Sequence, residues 1–163
     1  MADLTTNFLG IKSPNPFWLA PPPPTDKAYN GQRPFEAGWG GAVWKTLGED
    51  PPIVNVSGPR YGAMHGNDRR VLGFNNIELI TDRPLGVNLE EVRQIKRDWP
   101  DRALIVSVML PMHEESWAKY VPMIEDTAWQ RNHGSQWSGN AARAQIRPDG
   151  KYGATMLYAE WNA

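Results

Sequence analysis

Apolar residues come in short runs along the chain, broken by glycine and proline, a pattern of brief strands alternating with amphipathic helices. Leu4 to Phe8 and Ile11 to Lys12 flank Leu9-Gly10, which predicts a small N-terminal β-hairpin. Pro14-Asn15-Pro16 ends it, and Phe17-Trp18-Leu19-Ala20 reads as the first buried strand. Pro21 to Pro24 cannot donate to a ladder and favours an extended polyproline conformation. Thr25 or Asp26 is placed to cap a helix running toward Ala37, with Ala28 and Phe35 inward. Gly31 costs about 1 kcal/mol and Pro34 about 3 kcal/mol in a helix interior. A broken or shortened helix is therefore expected, starting as late as Pro34.

Gly38-Trp39-Gly40 then leads into a short strand, Gly41 to Trp44, with Lys45 and Thr46 at its C-terminal end. Ile53 to Val56 predicts another extended piece, and Gly58 to Gly73, rich in glycine and arginine without a period, a long loop. Asn88 stands as an N-cap with Glu91 three residues later, the spacing of a capping box. Leu89, Val92, Ile95 and Trp99 keep one apolar face until Pro100 stops the helix. Ala103 to Leu110 is a continuous apolar run, as expected of a parallel strand buried on both faces. A helix over Glu114 to Asp126 follows, with Trp117, Tyr120, Val121 and Ile124 on one side. This order predicts an α/β fold with right-handed crossovers. Beyond Ala128 the periodicity is lost, and only Ala154 to Trp161 offers a final strand or helix; a composition boundary lies near Thr127.

Composition narrows the function. The 163 residues fit one domain, and no apolar run is long enough for a bilayer. Met1-Ala2-Asp3-Leu4 lacks a signal-peptide pattern, so a cytoplasmic protein is expected, with no membrane partner. A net charge of −1 argues against a general nucleic-acid binder. Cysteine is absent, which excludes disulfides, thiolate metal sites, cysteine-ligated clusters and a cysteine acid or nucleophile within the chain. His65, His113 and His133 show no metal-ligand spacing, so no metal site is expected.

Two stretches hold candidate chemistry. Ligands in strand–helix–strand sheets bind outside the carboxyl ends of the strands. Lys45 is therefore either a ligand group over the sheet or a solvated lysine closing an edge strand. Asn75-Asn76-Ile77-Glu78 places two amides and a carboxylate beside apolar residues, suited to the edge of an amide-containing ring such as a pyrimidine. A capping Asn and a solvated Glu explain the same residues equally well. Arg69-Arg70 reads as a solvated loop pair before a phosphate grip, and Gly38 to Gly41 lacks the dinucleotide-binding glycine spacing.

Several motifs now agree jointly: Asn15-Pro16-Phe17, Pro24-Thr25-Asp26-Lys27, Phe35 to Gly40, Trp44-Lys45-Thr46, Asn76 to Ile80 and Asp98-Trp99-Pro100. In this order they resemble the start of the flavin-dependent barrel of the NAD-dependent dihydropyrimidine dehydrogenases, within the wider dihydroorotate dehydrogenase-like family. The resemblance covers about residues 1–127 and leaves 128–163 as an unassigned tail. It implies an incomplete, N-terminal portion of an FMN-binding (β/α)8 TIM barrel, which in full reduces uracil or thymine to the 5,6-dihydropyrimidine with electrons from NADH. By position, Lys45 would lie at the flavin's N1 and O2 edge, with Ala20 and Thr46 as further cofactor contacts. Asn76 and Glu78 would bind the pyrimidine.

The resemblance also implies an electron-donating flavoprotein subunit, and NAD and iron–sulfur clusters held by parts outside this chain. The sequence departs from the family at Pro21-Pro22, where small residues are usual. The family strand ending in a cysteine-containing motif does not follow Thr127, so no catalytic residue is assigned, and the chain alone is expected to be inactive. A frameshifted or disordered tail, and self-association through open strand edges, are expected. Alternatives are dihydroorotate dehydrogenase activity, or a non-catalytic α/β binding protein without flavin.

Overall fold

The computed structural model describes residues 2–8, 10–52, 59–76, 79–128, 142–146 and 152–158. At the N-terminus β1 (Thr6–Phe8) and β2 (Ile11–Ser13) form the expected antiparallel hairpin, with Gly10 turning at φ 92°. Three parallel strands then lie side by side in chain order: β3 (Trp18–Leu19), β4 (Gly41–Leu47) and β7 (Ala103–Pro111). Between β4 and β7 the chain forms a separate antiparallel hairpin, β5 (Tyr61–His65) and β6 (Val71–Asn76). Helices α1 (Ala28–Glu36), α2 (Leu85–Asp98) and α3 (Glu114–Ala128) complete an α/β arrangement.

The two faces of the sheet differ. Leu104, Val106, Val108 and Leu110 of β7 join Ala42, Trp44 and Leu47 of β4 in the main core, against Phe35, Leu89, Val92, Ile95, Tyr120 and Ile124 of the helices. On the other face Ala103 and Ile105 form a small cluster with Ile11, packed by Trp18 and Val43. The N-terminal hairpin thus closes the lower end of that face. Its alternation is the period-2 pattern of a strand with both sides covered.

Several expectations need correction. Helix α1 does not wait for Pro34; it starts at Ala28 and carries Pro34 inside. What holds it is tertiary. Ala28 and Phe35 are buried, and the Ala28 N–H is capped at 2.7 Å by the Glu91 carboxylate of α2, not by Thr25 or Asp26. Gly31 lets α1 approach α2: a Cβ there would lie 2.8 Å from Ile95 Cδ1. The helix ends in a Schellman turn, with Gly38 at φ 95° and its N–H donating to Phe35 O, while Trp39 N–H donates to Pro34 O.

Asn88 is likewise no cap. It lies one turn inside α2, fully buried; its Oδ1 accepts from Trp44 Nε1 at 3.1 Å and its Nδ2 donates to Arg83 O and Pro84 O. The first N–H of α2, on Leu85, is capped by Asp50 Oδ1 at 2.9 Å. Phe17 to Ala20 yields a two-residue, half-buried strand in place of a buried one.

The stretch from Gly58 to Gly73 is no long loop: most of it builds the exposed β5–β6 hairpin. The extended piece at Ile53 to Val56 falls outside the described residues. In the tail, the strand expected near Ala154 is β9 (Tyr152–Tyr158), joined by an unforeseen β8 (Ala142–Ile146). β9 runs antiparallel along β7 from Ile105 to Pro111, so the edge expected to stay open is paired.

Candidate functional site

The site follows from one irregularity in the parallel ladder. Trp44 pairs with Val106 and Leu47 with Val108, so two residues of β4, Lys45 and Thr46, stand opposite the single residue Ser107. This is a β-bulge, a device that re-aims side chains and recurs beside active sites. It keeps Trp44 and Leu47 both in the helix-side core while freeing Thr46 to meet Ser107. The two hydroxyls lie 2.9 Å apart. Strand β4 runs on past Trp44 through Lys45 and Thr46 to Leu47.

Lys45 is 4% exposed, which rules out the solvated edge lysine. Its positive charge acts on two carboxylates, Asp26 and Asp82. Burial pushes the Asp26 carboxyl above its ordinary range, against the opposing pull of the Thr81 hydroxyl, Arg83 and Lys45. Thr81 Oγ1 donates to Asp26 Oδ1 at 2.7 Å, and Thr81 N–H donates to Thr46 O at 2.9 Å. Asp82 is held low chiefly by its hydrogen bond from Arg60, at 2.7 Å. The segment leaving the β5–β6 hairpin is in this way stitched back onto the end of β4.

Arg83 ties the same end to the helices. Its guanidinium donates to the Asp26 carbonyl and forms an ion pair with Glu91. Burial opposes ionisation of Glu91, but the Arg83 bond, the Ala28 N–H and nearby positive charge together keep its carboxyl below the ordinary range. Glu91 therefore serves as both counter-ion and helix cap.

Of the expected site residues, Lys45 and Thr46 are adjacent at the bulge. Ala20 directly follows β3, whose Leu19 pairs with Ala42, so it lies on the neighbouring strand at the same end of the sheet. It is exposed, and its carbonyl accepts from Thr25 Oγ1 at 3.5 Å. Asn76 ends β6 opposite Tyr61 and is exposed, on the hairpin and not on the sheet. Glu78 lies outside the described residues. Sequence reasoning missed Ser107, Asp26, Thr81 and Asp82. Ser107 had a signal: a lone hydroxyl inside the apolar run Ala103 to Leu110. The others had none, because their proximity is made by the return of a hairpin.

Among the described residues no three His, Asp or Glu side chains converge as a metal site. No described helix is long and apolar enough to cross a membrane.

No family model matches the chain. A chloroplastic dihydropyrimidine dehydrogenase (NADP(+)) of Arabidopsis thaliana is 37% identical over 131 residues, covering 77% of this chain and 30% of the relative. The PreA subunit of an NAD-dependent dihydropyrimidine dehydrogenase from Escherichia coli (strain K12) is 36% identical over 124 residues, covering 76% of this chain and 29% of the relative. The chain thus spans about 30% of the length of the curated relatives it matches. Over about three quarters of its own length, this chain is a homologue of the dihydropyrimidine dehydrogenases.

Proposed function

We propose that this chain carries one wall of a flavin site from an oxidoreductase that reduces uracil or thymine to the 5,6-dihydropyrimidine with electrons from NADH. The observation that carries this reading is the bulge that sets buried Lys45 and half-buried Thr46 against Ser107 at the carboxyl ends of the parallel strands. Such ends are where α/β sheets bind ligands. We read β3, β4 and β7, with their helices, as the opening units of a (β/α)8 barrel, whose full form takes about 250 residues.

The residues fit one edge of an FMN ring. Lys45 supplies a desolvated cation for the N1 and O2 edge, Thr46 a hydroxyl oriented by Ser107, and Ala20 a backbone carbonyl. FMN, when bound, supplies the hydride chemistry. Lys45 would stabilise negative charge on that edge, and its burial strengthens the effect by excluding water. Asp26 and Asp82 lie near enough to interact electrostatically with the ammonium. Asn76 and Glu78 would hydrogen-bond the amide edge of the pyrimidine.

Backbone donors are short: Pro21 to Pro24 have no N–H to offer a ring or a phosphate. Protonation of the substrate carbon cannot come from a cysteine of this chain, which has none. The chain alone is therefore proposed to be inactive. The NAD site, the iron–sulfur clusters and an electron-donating flavoprotein subunit belong to other parts of the assembly.

One observation favours a second reading. β9 occupies the edge of β7 in antiparallel sense, where a barrel would add a parallel strand. A small α/β binding protein without flavin would be built this way. Titrating FMN into the purified chain and recording flavin absorbance decides between them. The first reading expects a saturable spectral change, weakened about tenfold or more by Lys45→Ala, as for loss of a hydrogen bond to a charged group. No spectral change in the wild type, or identical affinities in the two proteins, would overturn it.

A further inference from the structure

A second polar centre lies at the opposite, N-terminal end of the sheet. A cavity of about 260 Å³ opens there between the β1–β2 hairpin, the C-terminal end of α2 and the start of β7. Thr5, Lys12, Ser13, Lys96, Asp101 and Arg102 bring its polar groups. Three cations face one carboxylate, and that carboxylate is already engaged, because Asp101 pairs with Arg102.

Each of the two inner cations keeps a donor without an acceptor. Lys96 is 7% exposed, and its ammonium donates to Pro100 O at 3.1 Å and Arg102 O at 2.9 Å. An ammonium has three donors, so one remains beyond these carbonyls. Arg102 stacks its guanidinium over Trp99 at 5.4 Å, and its buried Nε has no hydrogen-bond partner. A buried charge usually has an opposite charge against it. Here the walls carry a surplus of positive charge, and a cavity stands beside them.

We propose that this cavity binds a small ligand through a phosphate group. The cavity falls just under the range of about 300 to 1,000 Å³ usual for drug-sized ligands, which suits an inorganic phosphate or a compact phosphomonoester. Lys96 and Arg102 supply the charge, Lys12 the cation at the mouth, and the Thr5 hydroxyl a further donor. Ser13 Oγ donates its proton to Asn15 O and accepts from Trp18 Nε1, so it lines the wall without a free donor. The proposal is independent of the flavin reading, since the two sites sit at opposite ends of the sheet.

Inorganic phosphate is the probe, titrated into the full chain against chloride at matched ionic strength. The melting temperature should rise with the logarithm of phosphate concentration above Kd, by about 5 °C or more at a hundredfold excess, with broadening of the phosphate ³¹P resonance. Lys12→Ser, an exposed position that leaves the fold intact, should weaken binding about tenfold, and Lys96→Gln should abolish it. Glycerol phosphate competing at equal strength would support a phosphomonoester ligand; failure to compete would support the free ion. A response no larger than that to chloride, or an apparent Kd unchanged in Lys12→Ser, would overturn the proposal.

Discussion

The two ends of the parallel sheet each bury a lysine, and they do so in opposite ways. At the C-terminal end Lys45 acts on Asp26 and Asp82, two carboxylates delivered by loops. At the N-terminal end Lys96 donates only to backbone carbonyls, Pro100 O and Arg102 O. The first arrangement neutralises a charge on a segment that leaves and re-enters the domain. The second spends a charge on stapling a tight turn between α2 and β7. Burial alone therefore does not decide what a lysine can do. The partners differ: carboxylates on loops surround one lysine at a strand end, whereas carbonyls of the next turn hold the other and leave it a donor to spare.

If the N-terminal end is the rigid one, the largest effect should come from its backbone. A Cβ at Gly40 would fall 2.1 Å from Asn15 O, a backbone atom held by the Asn15 side chain on Gly38 O and by Gly40 N–H on Phe17 O. Nothing there can yield cheaply. Gly40→Ala should destabilise by about 3 kcal/mol, the upper end of ordinary overpacking costs, measured by urea denaturation. At the other end a Cβ on Gly48 would meet the tip of Ile80, 2.6 Å away. Gly48→Ala should cost about 1 kcal/mol. Equal losses in the two variants would erase the contrast.

The titration of Lys96 gives the next effect, and its sign is informative. Burial pushes this ammonium down to about 8, with Asp101 opposing. In the unfolded chain a lysine titrates near 10.4. Between these values the unfolded chain holds a proton that the folded one has released, so stability rises with pH. The gain, fully developed near the unfolded value, is at most about 3 kcal/mol at 1.36 kcal/mol per unit. The neutral amine still donates to both carbonyls, so the staple survives. Urea midpoints followed across this window should climb, and saturating phosphate should flatten the climb by holding Lys96 charged. A midpoint that falls throughout would show that Lys96 needs its charge to keep the turn closed.

Much of this architecture was legible in the chain, and the misses share a cause. The run Ala103 to Leu110 and the spacing Leu89, Val92, Ile95 located β7 and α2 because burial imposes a period on sequence. The helix starts were misplaced because capping came from afar. Ala28 is capped by Glu91, 63 positions on, and Leu85 by Asp50, 35 positions back. Local cap rules see only Thr25, Asp26 and Asn88, which are instead spent on Pro22 O, Thr81 and Trp44. Gly31 and Pro34 misled for the same reason: tertiary contact against Ile95 outweighed propensity. Lys45 stands out in the sequence as a candidate, but its bulge does not, since a ladder irregularity is a relation between two strands and leaves no mark in either.

The smallest expected effect tests whether the hairpin belongs to the C-terminal site or merely leads to it. β5 and β6 stand in solvent: Phe74 is 80% exposed and Leu72 62%. Their removal takes little apolar surface out of contact, so Phe74→Ser should change stability by less than about 0.5 kcal/mol, as surface substitutions do. The hairpin's anchorage lies instead where it returns, at buried Ile80 and at Thr81, whose N–H donates to Thr46 O. Thermal melts of Phe74→Ser and Thr81→Ala side by side give the contrast. Thr81→Ala removes the hydroxyl on Asp26 and leaves a half-buried carboxylate short of a donor, which should cost about 1 to 2 kcal/mol. A loss on Phe74→Ser as large as on Thr81→Ala would mean that the hairpin packs onto the domain in solution.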